Sequence, residues 1–169
     1  DTLSFGEFGV GGFGGTSTND FTVGTSFGGF EFTGSDAFTI GGNSIDLAGD
    51  ITNTASANQN INLDLDLQQA ITFTADGGEV QFGGGLGGAF GVTKTGPDHV
   101  RLHGANTFTG DLTVDEGLLY VTESGSVDSS MSVTLGGYAT TDTDARLRVD
   151  GIGGNTKAVD GVTLTPGRS

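Results

Sequence analysis

The fold is decided by the stretch Gly91-Val-Thr-Lys-Thr-Gly-Pro-Asp-His-Val-Arg-Leu-His-Gly-Ala-Asn-Thr-Phe-Thr-Gly-Asp-Leu-Thr-Val-Asp-Glu-Gly-Leu-Leu-Tyr-Val121. Apolar residues recur there at alternate positions, as in Val100 and Leu102 and again in Leu112 and Val114. Alternation of this kind is typical of strands that bury one face, because successive side chains of a strand point to opposite sides. The intervening Gly and Asn residues favour turns.

The same pattern extends over the whole chain. Leu63, Leu65 and Leu67 alternate with Asp64 and Asp66, and no segment has a sustained helical period. The 169 residues include 33 Gly and only 2 Pro, and no stretch reads as a linker. We therefore predict one all-β domain that spans residues 1–169.

The predicted strands are short and numerous. They cover residues 3–8, 21–23, 30–32, 38–40, 45–47, 61–67, 71–73, 80–82, 100–102, 112–114, 118–121, 133–135, 147–149 and 162–164.

Internal similarity favours a solenoid over a β-sandwich. Ser4-Phe-Gly-Glu-Phe8 recurs as Ser26-Phe-Gly-Gly-Phe30, and this offset of 22 residues matches about one coil of a β-solenoid. The chain would then make roughly seven coils. A β-sandwich is the alternative, although no Asn-Gly or Asp-Gly pair cleanly joins two equal strands; Asp76-Gly77 and Asp150-Gly151 are the nearest.

The opening stretch resembles the autotransporter-associated β-strand repeat of bacterial surface proteins. The resemblance covers residues 91–121 and is carried by Thr93-Lys-Thr-Gly96, by Gly104-Ala-Asn-Thr-Phe-Thr-Gly110, and by the spacing of Leu112, Val114, Gly117, Leu119 and Val121. Pro97-Asp-His99 departs from the usual small residues of the repeat. The resemblance implies a right-handed parallel β-helix and a location on the outer surface of a bacterium.

Charge and composition exclude several function classes. The formal net charge is −15, from 6 Lys and Arg against 21 Asp and Glu, so nucleic acid and anionic membranes would be repelled. No apolar run is long enough to span a bilayer, and no basic-then-apolar signal region opens the chain. For an exported protein we therefore expect that a signal has been removed, and the membrane barrel of an autotransporter is not in this sequence.

Few residues are candidates for chemistry. His99, Arg101 and His103 are predicted to share an outer strand face, as exposed residues rather than as metal ligands. Asp64 with Asp66, and Asp142 with Asp144, are spaced as outward carboxylate pairs. Such pairs suit glycoside chemistry or Ca²⁺, but outward positions of any strand must be polar. We therefore assign no catalytic, cofactor or metal residue and expect no cofactor.

These observations predict a structural protein rather than an enzyme. We expect a rigid stalk, or a subunit of an extracellular filament, that assembles with itself head to tail through its terminal coils. Adhesion to matrix or polysaccharide is a companion role. The alternative is a carbohydrate-active β-helix enzyme, a polysaccharide lyase or hydrolase, that uses the outer-face Asp pairs.

Overall fold

A computed structural model describes residues 1–6, 14–122, 132–136 and 145–150, and the backbone of residues 162–164. These residues form β-strands joined by turns, and none of them lies in a helix. Accordingly, no described segment is a helix long and apolar enough to cross a membrane. The predicted all-β class is confirmed.

The described strands are mostly three or four residues long. In chain order they are β1 (Thr2–Phe5), β2 (Thr16–Asn19), β3 (Thr25–Phe27), β4 (Gly29–Phe32), β5 (Thr39–Gly42), β6 (Ile45–Leu47), β7 (Ile51–Asn53), β8 (Gln59–Ile61), β9 (Leu65–Leu67), β10 (Ile71–Ala75), β11 (Val80–Phe82), β12 (Leu86–Gly88), β13 (Val92–Thr95), β14 (His99–Leu102), β15 (Leu112–Val114), β16 (Leu118–Val121), β17 (Val133–Leu135), β18 (Arg146–Val149) and β19 (Val162–Leu164).

The strands stack into three parallel sheets, which makes the chain a β-solenoid. Sheet A has the order β1-β4-β7-β10-β13-β15-β17-β19, sheet B the order β18-β16-β14-β11-β8-β5-β2, and sheet C the order β12-β9-β6-β3. Each of the first four coils contributes one strand to each sheet. Every recorded pairing is parallel, for example β10 with β13, so the β-sandwich alternative is wrong.

The repeat between coils is close to the predicted value, whereas the number of coils is slightly lower. Thr72 N donates a hydrogen bond to Asp50 Oδ1 across 22 residues, and other contacts between adjacent coils span 21 or 20. We expected about seven coils, but the solenoid has about five turns. Beyond the fifth turn the described strands continue the ladders of sheets A and B, whereas the last described strand of sheet C is β12 of the fourth coil.

The core consists of columns of inward side chains that run along the solenoid. One column of sheet A places Phe30, Ile51, Phe73, Lys94 and Val114 in register. All five are buried. Because burial of one large apolar side chain contributes about 1.5–3 kcal/mol, these columns supply the main stabilising term of a chain without cysteine.

Buried amide side chains complete the hydrogen bonding at the corners between sheets. Gln59 Oε1 accepts from Phe38 N at 2.8 Å, and its Nε2 donates to Asp36 O at 3.0 Å. Asn106 lies in the fifth coil, and its Oδ1 accepts a hydrogen bond from Leu86 N of the fourth coil at 3.1 Å. A buried backbone group without a partner costs about 1–3 kcal/mol, so these amides replace missing strand pairing.

Two predicted strands differ from the structure, and of a third, predicted at 3–8, β1 ends at Phe5 while residues 7 and 8 lie outside the described residues. The segment predicted at 61–67 is divided between β8 and β9, because the chain turns a corner after Ile61 while its apolar alternation continues. The segment predicted at 21–23 is a turn in which Thr25 N bonds to Thr22 O and Gly24 has φ +78°. Its exposed Phe21 packs edge-on against Phe27, with 5.8 Å between ring centroids.

Candidate functional site

A shallow groove on the outer face of sheet C is the most site-like feature of the described residues. Its volume is about 410 Å³, and its walls are formed by small and acidic residues together with two leucines. The lining residues are Ser44, Asp64, Leu65, Asp66, Gly85, Leu86, Gly87, Ala105 and Thr107. Glycines create the depression because Gly87 leaves space between Asp66 and Thr107, whose side chains stand on the neighbouring coils.

Both carboxylates of the predicted Asp64–Asp66 pair line this groove and are exposed. Asp64 Oδ1 accepts a hydrogen bond from Gly85 N at 2.7 Å, and Asp66 Oδ2 accepts one from Gln68 Nε2 at 3.0 Å. Asp66 also lies in register with Asp46 of β6. The groove can therefore offer carboxylate oxygens to the hydroxyl groups of a neutral ligand such as a sugar.

The outer face of sheet B holds a cluster of ion pairs. Glu79 is mostly buried, and its Oε1 lies 2.7 Å from Arg101 Nε in a contact whose angle is too bent for a hydrogen bond. His99 Nδ1 lies 3.6 Å from Glu79 Oε2. The predicted outward orientation of His99 and Arg101 is confirmed by the alternating burial of β14.

A tyrosine between two arginines continues this face. The guanidinium carbon of Arg101 lies 5.4 Å from the centre of the Tyr120 ring, and that of Arg148 lies 4.6 Å from it. The Tyr120 hydroxyl donates to Asp150, and this hydrogen bond raises the pKa of the phenol. Arg148 Nε also donates to Asp150 Oδ1 at 3.0 Å, which raises the pKa of the guanidinium. The arginines of this cluster are thus matched by carboxylates.

The two histidines do not converge on a common site. His99 faces Glu79, whereas His103 Nδ1 lies 3.1 Å from Thr122 Oγ1. Within the described ranges, no group of three or more His, Cys, Asp or Glu side chains is arranged to hold a metal ion. Asp142 and Asp144, the second predicted pair, lie outside the described residues.

A buried lysine is the feature that sequence reasoning missed. Lys94 is fully buried in the core column of sheet A. Its Nζ donates to three carbonyl oxygens, of Thr95 at 2.7 Å, Gly96 at 2.6 Å and Glu116 at 3.0 Å. Burial lowers the pKa of Lys94 to about 8, although the nearby carboxylates Glu116, Asp98 and Asp76 oppose the shift. The alternation with Val92 could have revealed its inward position.

Comparison with known proteins adds no relative. No family model matches the chain, and neither a curated protein nor a solved structure shows significant similarity to it.

Proposed function

We propose that this chain is a structural, non-enzymatic β-solenoid of the bacterial cell surface: a rigid, acidic stalk, or a subunit of an extracellular filament that assembles head to tail. The observation that carries the proposal is the uninterrupted parallel stacking of the coils, with eight strands in the ladder of sheet A and seven in that of sheet B. Strands β1, β2 and β3 each pair on one side only within the described strands, through β4, β5 and β6. Their other edges present backbone groups that can pair with another strand.

The interior of the first coil is open as well. Leu3 pairs with Phe30 at the end of the sheet A column and is 37% exposed, whereas Phe30 is 2% exposed. A small cavity of about 90 Å³ at this end is lined mainly by apolar side chains, among them Leu3, Phe5, Phe21 and Phe27. A further coil placed here would extend both the ladders and the apolar columns.

The resemblance of residues 91–121 to the autotransporter-associated repeat supports the outer cell surface as the location. The absence of cysteine is compatible with a surface protein whose stability comes from stacked coils. Adhesion to polysaccharide or matrix accompanies the structural role in this proposal.

Electron microscopy of the purified chain tests self-assembly. We expect uniform fibres with a repeat of about 4.8 Å along the axis, because coil stacking would continue between subunits. Leu3→Asp should abolish the fibres by placing a charge at the open apolar end. Phe90→Asp is the matched control, since Phe90 is similarly exposed at 42% but lies between β12 and β13 on the flank. Monomers over a wide concentration range would contradict head-to-tail assembly.

A carbohydrate-active enzyme is the second candidate, and the groove that joins Asp64 and Asp66 favours it. Release of reducing ends or of unsaturated products from neutral and acidic polysaccharides would measure this activity. Asp64→Asn and Asp66→Asn should each abolish it, whereas Asp111→Asn, at an exposed corner, should not. Absence of cleavage over a broad polysaccharide panel would count against this candidate and leave the structural role.

A further inference from the structure

The outer face of sheet A carries two straight rows of threonine. Their side chains alternate with the buried columns and are partly exposed. The first row, across β10, β13, β15 and β17, consists of Thr72, Thr93, Thr113 and Thr134. The second row, across β7, β10 and β13, consists of Thr52, Thr74 and Thr95. We call these seven residues the threonine array.

The array is periodic in two directions. Neighbouring strands place the backbone of paired threonines about 4.8 Å apart along the solenoid axis, and alternate residues of one strand lie about 6.6 Å apart. Thr74 Oγ1 and Thr95 Oγ1 are 2.9 Å apart and share a hydrogen bond, so the side chains of this row are mutually oriented.

The array is also rigid. Threonine is branched at Cβ, which restricts its first side-chain torsion. The residues beneath it, including Ile71, Phe73 and Val92, are fully buried in the core. A surface ordered before binding loses little conformational entropy when it meets an ordered partner.

The chemistry of the array selects a neutral partner. No charged side chain stands within either row, although the chain has a net charge of −15. Acidic residues lie at the ends of the rows: Asp50 Oδ1 accepts a hydrogen bond from Thr72 N at the start of the first row, and Thr52 pairs with Glu31 of β4 at the start of the second. No aromatic ring occupies the outward positions of β7, β10, β13, β15 or β17, so the face lacks the flat platforms on which sugar rings stack.

We propose that the threonine array binds the surface of ice. Ice is a neutral lattice of hydrogen-bond donors and acceptors with repeats of a few ångströms. Each threonine hydroxyl takes the place of a lattice water, and each methyl group covers a space between waters. Because the array repeats in register, its contacts with a lattice add along the face, whereas liquid water presents no matching order.

Ice growth in dilute solution tests the proposal. The measurement is the gap between the melting and freezing temperatures, together with the shape of a single crystal held within that gap. We expect the unaltered chain to shape the crystal and open a gap. Thr93→Lys, at the centre of the array, should require about tenfold more protein for the same gap, as expected for a loss of about 1.4 kcal/mol. Thr39→Lys, at a partly exposed position of sheet B, should leave the gap unchanged.

A second variant separates a folding defect from loss of binding. Thr93→Tyr introduces a residue with high β-propensity whose ring protrudes from the face. Circular dichroism should show native β-structure in both Thr93 variants, and both should lose ice shaping. The proposal is overturned if the folded unaltered chain neither shapes ice nor opens a gap, or if both folded Thr93 variants match it. Sedimentation with crystalline cellulose without an effect on ice would likewise overturn it.

Discussion

Lys94 shows how one residue joins two coils. Its stem occupies the apolar column between Phe73 and Val114, while its ammonium group binds carbonyl oxygens on its own turn and on that of Glu116. A buried ammonium is tolerated only when all its protons are donated. Three donations satisfy this condition here.

Replacement of Lys94 by methionine should destabilise the solenoid. Methionine fills the same column but leaves the carbonyl oxygens of Thr95, Gly96 and Glu116 without this donor. The lost hydrogen bonds outweigh the desolvation that the ammonium no longer pays, so we expect the free energy of unfolding to fall by about 2 kcal/mol. Urea unfolding followed by circular dichroism measures the change. Gln81→Met, on the outer face of β11, is the control and should shift stability by less than about 0.5 kcal/mol. An equally stable Lys94→Met variant would contradict the assigned role.

The titration of Lys94 predicts a specific dependence on pH. Its pKa falls from the ordinary 10.5 to about 8 in the folded chain, so between these values the unfolded chain holds a proton that the folded chain has released. The free energy of unfolding must then rise with pH in this window and be independent of Lys94 titration below it. We expect the difference between the unaltered chain and Lys94→Met to grow from pH 8 to 10.5. A flat difference would show that the folded pKa is not lowered.

At the scale of elements, the corners decide how closely coils can stack. Gly42 ends β5 with φ +109°, and a Cβ added there would lie 2.3 Å from Asn19 O of the preceding coil. The adjacent Gly41 has an ordinary extended backbone, and its added Cβ would meet only Asn62 Cβ at 4.0 Å.

These neighbours provide a matched pair of substitutions. Gly42→Ala should cost about 2–4 kcal/mol, because it combines a strained backbone conformation with a clash against main chain. Gly41→Ala should change stability by less than about 1 kcal/mol, since it fits the space and reduces the entropy of the unfolded chain. Thermal unfolding of both variants measures the difference. Equal losses at the two positions would mean that β2 and β5 separate easily at this corner.

At the scale of the whole molecule, charge is distributed unevenly along the solenoid. No Lys or Arg precedes Lys94, whereas acidic residues occur throughout. All charged side chains of the first four coils are therefore acidic. The basic residues Arg101, Arg146 and Arg148 lie on later strands of sheet B. Two copies that approach each other repel through their net charge.

Salt should therefore promote head-to-tail assembly. Raising ionic strength from about 0.01 M to about 0.15 M shortens the screening length from about 30 Å to about 8 Å and weakens the repulsion between copies. Light scattering should show faster fibre growth at the higher salt, and Leu3→Asp should remain unassembled at both. Slower growth with salt would instead indicate that attraction between acidic and basic ends drives the contact.

Much of the fold was predictable because burial follows alternation. In segments such as residues 45–47 and 80–82 the alternation predicts which residues point inward, and the structure forms strands at these positions. Corners were harder, since Asn62, Leu63 and Asp64 continue the alternation while the chain changes sheet. The alternation of apolar residues predicts which side chains are buried, but the path of the backbone at a corner depends on packing against the neighbouring coil.

The candidate groove was predictable only in part. Alternation placed Asp64 and Asp66 on the outside, as observed. The contributions of Gly87 and Thr107 come from the next two coils and depend on register. Register between coils is a long-range property, because it is set by simultaneous packing of all three sheets.

By itself, the sequence determined the all-β class, the coil length and most of the apolar residues that enter the core, because hydrophobic burial acts on each short segment through its own alternation. Only the tertiary structure decided which residues share a column or a row. Parallel stacking aligns positions about one coil apart, and this alignment created the satisfied Lys94, the core columns and the threonine array.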